Sequence, residues 1–247
     1  MTLKNKVIVI TGASSGMGAA TTKKAIAKGA KVVIGARNKE NLKAIADSTE
    51  NPANVVYQKT DVTNLEDVKN LVKTAVDKFD KVDIIYNNAG IMPQDKLVDS
   101  DPESWKSMFN TNVIGVLNGI KATLPIMQKQ GKGLIMATDS VAGHVVYPGS
   151  AVYNSTKFAV RAIMEGLRQE EHGKGIKTGI VSPGAVDTNL VSTIGNKQIQ
   201  DAITKMSKDK NMALSAEDVA NSAIFMMEQP DNVNMNEILV RPTGQNV

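Results

Sequence analysis

Val7-Ile8-Val9-Ile10-Thr11-Gly12-Ala13-Ser14-Ser15-Gly16-Met17-Gly18 is the stretch on which the fold turns. Its four leading residues are apolar and β-branched, which suits a strand buried on both faces of a parallel sheet. The glycines that follow allow a sharp turn into a helix and a close approach of backbone to a pyrophosphate. The N–H groups and dipole of the new helix would face that anion. Ala19 to Lys28 reads as that helix, with Gly29 closing it, and Lys31-Val32-Val33-Ile34-Gly35 reads as a second strand. Strand, turn, helix and strand thus fit within about thirty residues, as a dinucleotide-binding unit requires. No Gly-Lys-Ser/Thr follows the turn, which excludes a P-loop.

The same alternation continues along the chain. Helices are expected over Asn38 to Asp47, Asn64 to Phe79 (capped by Thr63 with Glu66 three residues on), Pro102 to Gln130, Ala151 to Glu171 and Ala216 to Glu228. Strands are expected over Asn54 to Gln58, Val82 to Tyr86, Gly133 to Ala137, Lys177 to Val181 and Glu237 to Val240. Regular β/α alternation predicts an α/β fold: a doubly wound, Rossmann-like parallel sheet between two helix layers. No linker, repeat or low-complexity tract divides the 247 residues, so one domain is expected over 1–247. Cysteine is absent, excluding disulfides and a thiolate metal site, and two histidines offer no metal cluster, so no metal is expected. The N-terminal segment has four apolar residues before the glycines, too few for a signal or membrane span, so a cytoplasmic protein is expected. The net charge of +4 comes from lysines scattered among acidic residues, and nine aromatic residues in all leave little surface for stacking bases; no nucleic-acid role is expected.

Chemistry enters with Tyr153-Asn154-Ser155-Thr156-Lys157, thirteen residues after Ser140 in Asp139-Ser140-Val141-Ala142-Gly143. On a helix the i, i+4 spacing puts phenol and ammonium on one face. The cation would lower the tyrosine pKa and make it a usable general acid or base. A reaction that protonates a developing oxyanion needs such an acid and a second donor beside it; Tyr153 suits the first role and Ser140 the second. Asn87-Asn88-Ala89-Gly90, Asp61-Val62-Thr63, Ser140 and Pro183-Gly184 each follow an expected strand, where ligands of such sheets bind.

The ordered set resembles the short-chain dehydrogenase/reductase family from about Lys4 to the C-terminus. TGxxxGxG (Gly12, Gly16, Gly18), NNAG, a lone Asn112, Ser140, YxxxK and Pro183-Gly184-Ala185-Val186-Asp187-Thr188 stand in the family's order and spacing. The resemblance implies an oxidoreductase with Asn112, Ser140, Tyr153 and Lys157 as its catalytic set. In it Lys157 also bonds the nicotinamide ribose and Asn112 holds a water that relays protons to Lys157. It further implies cofactor contacts from Gly12, Ser14, Ser15, Gly16, Met17, Gly18, Arg37, Asp61, Val62, Asn88, Ala89, Gly90, Pro183, Gly184 and Thr188, and a homo-oligomer, a tetramer by family habit. Gly35-Ala36-Arg37 lacks the acidic residue that would bond the ribose of NAD, and Arg37 offers a planar fork to a 2′-phosphate, so NADP is expected. Two positions depart from the family. Ser15 stands where many NADP-preferring relatives carry Lys or Arg. Asp139 replaces a serine and is expected to serve as a turn residue bonded to backbone N–H groups; turned inward, it would oppose phenolate formation.

A long stretch at 187–214 between core elements is expected to act as a lid over the substrate. Leu190, Ile194 and Met206 would form its apolar face, with Met92, Ser140, Val146 and Tyr147 opposite and His144 a further wall residue. Met212, Met226 and Met227 are read as gap-filling core and Trp105 as packing. No arginine is seen reserved for a carboxylate, so neutral, moderately bulky ketones are the expected substrates. The alternatives are a 3-hydroxy acid (serine-type) dehydrogenase, a 3-oxoacyl reductase, or a regulatory protein that senses NADP without chemistry.

Overall fold

Alternate side chains of a strand go to opposite faces of its sheet, and here both faces are covered. Strand β1 (Val7–Thr11) is buried throughout; Ile8 and Ile10 join one apolar cluster, Val7 and Val9 the other. The computed structural model describes residues 3–246, so Met1, Thr2 and Val247, at the ends of the expected domain and N-terminal segment, lie outside the described residues. The other strands are β2 (Lys31–Ala36), β3 (Val55–Lys59), β4 (Ile84–Asn87), β5 (Gly133–Thr138), β6 (Ile176–Pro183) and β7 (Glu237–Val240). They form one sheet in the order β3-β2-β1-β4-β5-β6-β7, every neighbouring pair parallel.

Three helices, α1 (Gly16–Ala27), α2 (Lys39–Asp47) and α8 (Ala216–Met227), bury Ile26, Leu42, Val219 and Ile224 against one face. On the other face α3 (Leu65–Phe79), α5 (Gly115–Gln130) and α6 (Ala151–Glu170) bury Leu71, Ile120 and Met164. This is the expected doubly wound, three-layer α/β arrangement. Strand order reverses between β1 and β4, and the crevice at that point lies outside the carboxyl ends of the strands. Among the described residues no helix is long and apolar enough to cross a membrane.

Several local readings change. Asn64, not Thr63, caps α3, its side chain accepting from the N–H groups of Glu66 and Asp67. Thr63 is occupied elsewhere, since Asp61 Oδ1 takes both its N–H and its hydroxyl. The single helix expected from Pro102 to Gln130 is α4 (Pro102–Phe109), a π-helical turn over Asn110–Ile114, then α5. The expected lid contains structure the sequence reading did not assign: a 3-10 turn over Asn189–Thr193 and the helix α7 (Lys197–Ser207), capped by Asn196.

Candidate active site

The glycine-rich turn fits closely around its neighbours. Gly12 has φ 66°, and a Cβ there would lie 2.7 Å from the Ala89 Cα, so turn and NNAG segment touch backbone to backbone. Asn88 clamps the junction: its Nδ2 donates to the carbonyls of Thr11 and Gly12, and its Oδ1 accepts from Thr138 Oγ1. Gly16, at φ 53°, opens α1 beside Thr188. A cleft of about 1200 Å³ runs from this turn across the carboxyl ends of the strands. Gly12, Ser14, Ser15, Gly16, Met17, Arg37, Asp61, Val62, Asn88, Ala89, Gly90, Pro183, Gly184 and Thr188 line it. Gly18 does not line it; a Cβ there would lie 2.5 Å from the Gly12 carbonyl oxygen, so its smallness serves turn packing.

Ser140, Tyr153 and Lys157 line the same cleft. Ser140 is held by accepting from the Ala142 N–H at 3.1 Å and donating to the Pro183 carbonyl at 3.4 Å. Lys157 is buried and donates to the Thr138 carbonyl at 2.8 Å, with its Nζ 5.6 Å from the Tyr153 ring centroid. Asn112, buried in the π-helical turn, is fully engaged: Oδ1 accepts from the Ile91 N–H, and Nδ2 donates to the Ile91 carbonyl and to Thr156 Oγ1. It therefore joins the segment after β4 to α6, one residue before Lys157. π-helical insertions recur at functional sites because they re-aim side chains.

The electrostatics correct one expectation. Burial, not Lys157, dominates the Tyr153 phenol and pushes its pKa above the ordinary range; the Ser140 hydroxyl opposes the rise and the Asp139 charge adds to it. The ammonium faces the ring and the Thr138 carbonyl. Burial also pulls Lys157 down to about 8, against the Asp139 charge, which raises it. Asp139 itself is not a turn residue bonded to backbone N–H groups. Its side chain is wholly buried, Oδ2 accepts from Ser182 Oγ at 3.2 Å and lies 3.6 Å from Arg161, and burial raises its pKa to about 6.

The pocket reading is partly revised. Met92, Tyr147, Leu190 and Met206 line the cleft, joined by Ile199 and Ile203 of α7 and by Met212. Ile194 is buried behind that wall, and Val146 is 67% exposed on the outside, so neither lines it. His144 turns away to Glu237, 2.6 Å from its Nε2. Met226 and Met227 are core, as expected. The sequence reading missed the C-terminal tail, whose Gln245 and Asn246 reach the cleft; Gln245 Oε1 accepts from the Ala185 N–H at 2.9 Å. Nothing local in Pro242-Thr243-Gly244-Gln245 announces that return. Arg241 was also missed: burial raises the Tyr147 phenol pKa, while Gln245 and the Arg241 guanidinium counter it.

Comparison with known proteins agrees with this geometry. The sequence pattern described as short chain dehydrogenase matches residues 6–199. An oxidoreductase of Listeria monocytogenes is 44% identical over 99% of both chains. A closed form of serine dehydrogenase complexed with NADP+ superimposes with a TM-score of 0.90, at 28% identity, over 98% of this chain and 96% of that one. A short chain dehydrogenase/reductase from Burkholderia phymatum in complex with NAD gives 0.87, at 27% identity, over 97% and 90%. The chain belongs to the short chain dehydrogenase family of oxidoreductases, whose members bind a nicotinamide cofactor.

Proposed function

We propose that the protein is an NADP(H)-dependent oxidoreductase interconverting a carbonyl compound and its secondary alcohol, with Tyr153 as general acid and base. One observation carries the reading: Ser140, Tyr153 and Lys157 share a single cleft with the glycine-rich turn and Arg37. The residues present suit the cofactor. Gly12 and Gly16, both at positive φ, put backbone on the cleft wall, and the first N–H groups of the twelve-residue α1 open beside it. Arg37 would take the 2′-phosphate, and a charge-assisted contact of about 1.5–3 kcal/mol corresponds to a roughly ten- to hundred-fold preference for NADPH.

When bound, the nicotinamide would supply or accept hydride at C4. Everything else falls to the chain. Ser140 would hold the carbonyl oxygen and Tyr153 would give it a proton in reduction or take one in oxidation. Lys157 would bond the nicotinamide ribose, and Asn112, its side-chain amide taken up by Ile91 and Thr156, would hold α6 in place beside Lys157 and could meet a relay water only through its main chain. Leu190, Met206 and Met92 present apolar surface, which suits neutral, moderately bulky ketones. A second reading, a 3-hydroxy acid dehydrogenase, is favoured by the likeness to a serine dehydrogenase. A panel of ketones, aldehydes, 3-hydroxy acids and polyols, followed by NADPH and NADH absorbance, separates the two. Equal kcat/KM with both cofactors would remove the NADP assignment, and a 3-hydroxy acid outperforming every neutral substrate would favour the second reading.

A further inference from the structure

Beneath the glycine-rich turn runs a chain of buried hydrogen bonds that the reaction above does not use. Thr138, the last residue of β5, places its Oγ1 2.8 Å from the Tyr86 hydroxyl of β4 and 3.1 Å from Asn88 Oδ1. An amide oxygen can only accept, so the single Thr138 proton goes to Asn88, and the Tyr86 phenol is left to donate to Thr138 Oγ1. Tyr86 is wholly buried, and burial pushes its pKa up to about 12, so that proton stays in place. The chain therefore has one direction: Tyr86 to Thr138, Thr138 to Asn88, and Asn88 Nδ2 onward to the carbonyls of Thr11 and Gly12 at 3.1 and 3.2 Å.

There is no slack at the far end. A Cβ on Gly18 would lie 2.7 Å from Asn88 Nδ2 and one on Gly12 3.1 Å, so the amide and the turn are packed directly on each other. Turned over, the Asn88 amide would set its oxygen against two carbonyls and its nitrogen against the Thr138 proton. Thr138 has a second task through its main chain, whose carbonyl accepts from Lys157 Nζ at 2.8 Å. One residue thus faces the turn with its hydroxyl and the lysine with its carbonyl, and a change of side chain touches only the first.

We propose that Thr138 and Tyr86 are positioning residues that set the affinity for the nicotinamide cofactor, by holding the Asn88 amide in the one orientation that ties the NNAG segment to the glycine-rich turn. This rests on the cofactor pyrophosphate lying against that turn, and not on Tyr153 being the acid or on the choice of substrate. NADPH and NADH share the pyrophosphate, so loss of the chain should weaken both by the same factor. Thr138→Val keeps the side-chain shape and the carbonyl for Lys157 but leaves Asn88 Oδ1 buried without a donor; Tyr86→Phe leaves Thr138 without its own donor and is the milder change.

The test is fluorescence titration of NADPH and of NADH into wild type, Thr138→Val, Thr138→Ser and Tyr86→Phe, with kcat measured at saturating cofactor on the best substrate of the panel. Thr138→Val should raise both dissociation constants about ten-fold and Tyr86→Phe about three-fold, while Thr138→Ser, which restores the hydroxyl, should stay within about two-fold of wild type. With Lys157 still on its carbonyl, kcat should change by less than about two-fold in all three. Tyr86→Phe alone decides the matter if Thr138→Val does not fold. Dissociation constants that stay level, an affinity loss that the serine does not restore, or a fall in kcat at unchanged affinity would each overturn the proposal. Gly12→Ala run alongside separates the failures. If it binds both cofactors as wild type does, the cofactor does not lie on this turn and the premise falls too; if it binds them weakly and the Thr138 and Tyr86 variants do not, only this inference falls.

Discussion

Burial makes the Tyr153 hydroxyl hard to ionise, so in the role proposed for it as acid its geometry matters more than a depressed pKa. Tyr153→Phe keeps the ring packed against Met108 and Ala142 and removes only the proton donor. Turnover should fall by about 10²–10⁴ or more while the NADPH dissociation constant stays within a few-fold; retention of most of kcat would assign the acid elsewhere. Lys157→Ala should weaken both turnover and NADPH binding if one ammonium serves both as proposed, with turnover read by initial rates and binding by fluorescence titration. Asp139 has a further consequence for stability. Its folded pKa of about 6 lies above the ordinary value of 3.8, so the native state binds the extra proton and the contribution is complete below about pH 4. It is lost as pH rises through about 6, a change of roughly 3 kcal/mol from a shift of about two units. Denaturant unfolding should therefore show Asp139→Asn gaining on wild type by about 2 kcal/mol between pH 4.5 and 7.5, the part of that change lying above pH 4.5; a pH-independent difference would contradict it.

At the scale of elements, what could be read from sequence was what depends on neighbours in the chain. β1, the glycine turn and α1 are written in one run, because strand burial, positive φ and helix initiation are local demands, and the structure differs there only at the boundaries. Gly12→Ala tests that junction: the left-handed backbone alone costs about 1–2 kcal/mol for an L side chain, and the new Cβ meets the Ala89 backbone. Both melting temperature and NADPH affinity should drop; unchanged values would mean that the turn relaxes freely. What could not be read depends on distant partners. The π-helical turn that aims Asn112 leaves no signature in Asn110-Thr111-Asn112, and Asp139 looked like a turn residue because Arg161, Ser182 and Glu237 are far away in sequence. The stretch 187–214 was visible as a gap between core elements, but α7 was not, although Ile199, Ile203 and Met206 repeat at helical spacing and line the cleft. If that face grips substrate, Leu190→Ala and Met206→Ala should each raise KM for bulky ketones roughly ten-fold while leaving small aldehydes unaffected. KM values that stay level across the ketone series would remove this face from the pocket.

For the whole molecule, the two layers of helices bury the sheet but leave large apolar side chains outside. Phe109, Ile114, Leu117 and Phe158, on α4 through α6, are each about 40% exposed, and Phe225 of α8 and Leu239 of β7 are 55% and 40% exposed. The first four belong to neighbouring elements of the chain and the last two to others, and we propose that they mark two separate contacts between copies of the chain. Two different isologous contacts, one through each group, close into a tetramer with three perpendicular two-fold axes, the arrangement that follows dimers in frequency among soluble oligomers. We propose that the tetramer expected from the family resemblance is built this way, each apolar group taking its own partner surface. Light scattering after gel filtration should return about four times the chain mass of 26.4 kDa. Phe158→Glu and Phe225→Glu should each stop assembly at a dimer, since either removes one contact and spares the other, and the double variant should be a monomer. A wild-type mass of one chain, or a single substitution that gives monomers outright, would mean that the two groups do not act as separate interfaces.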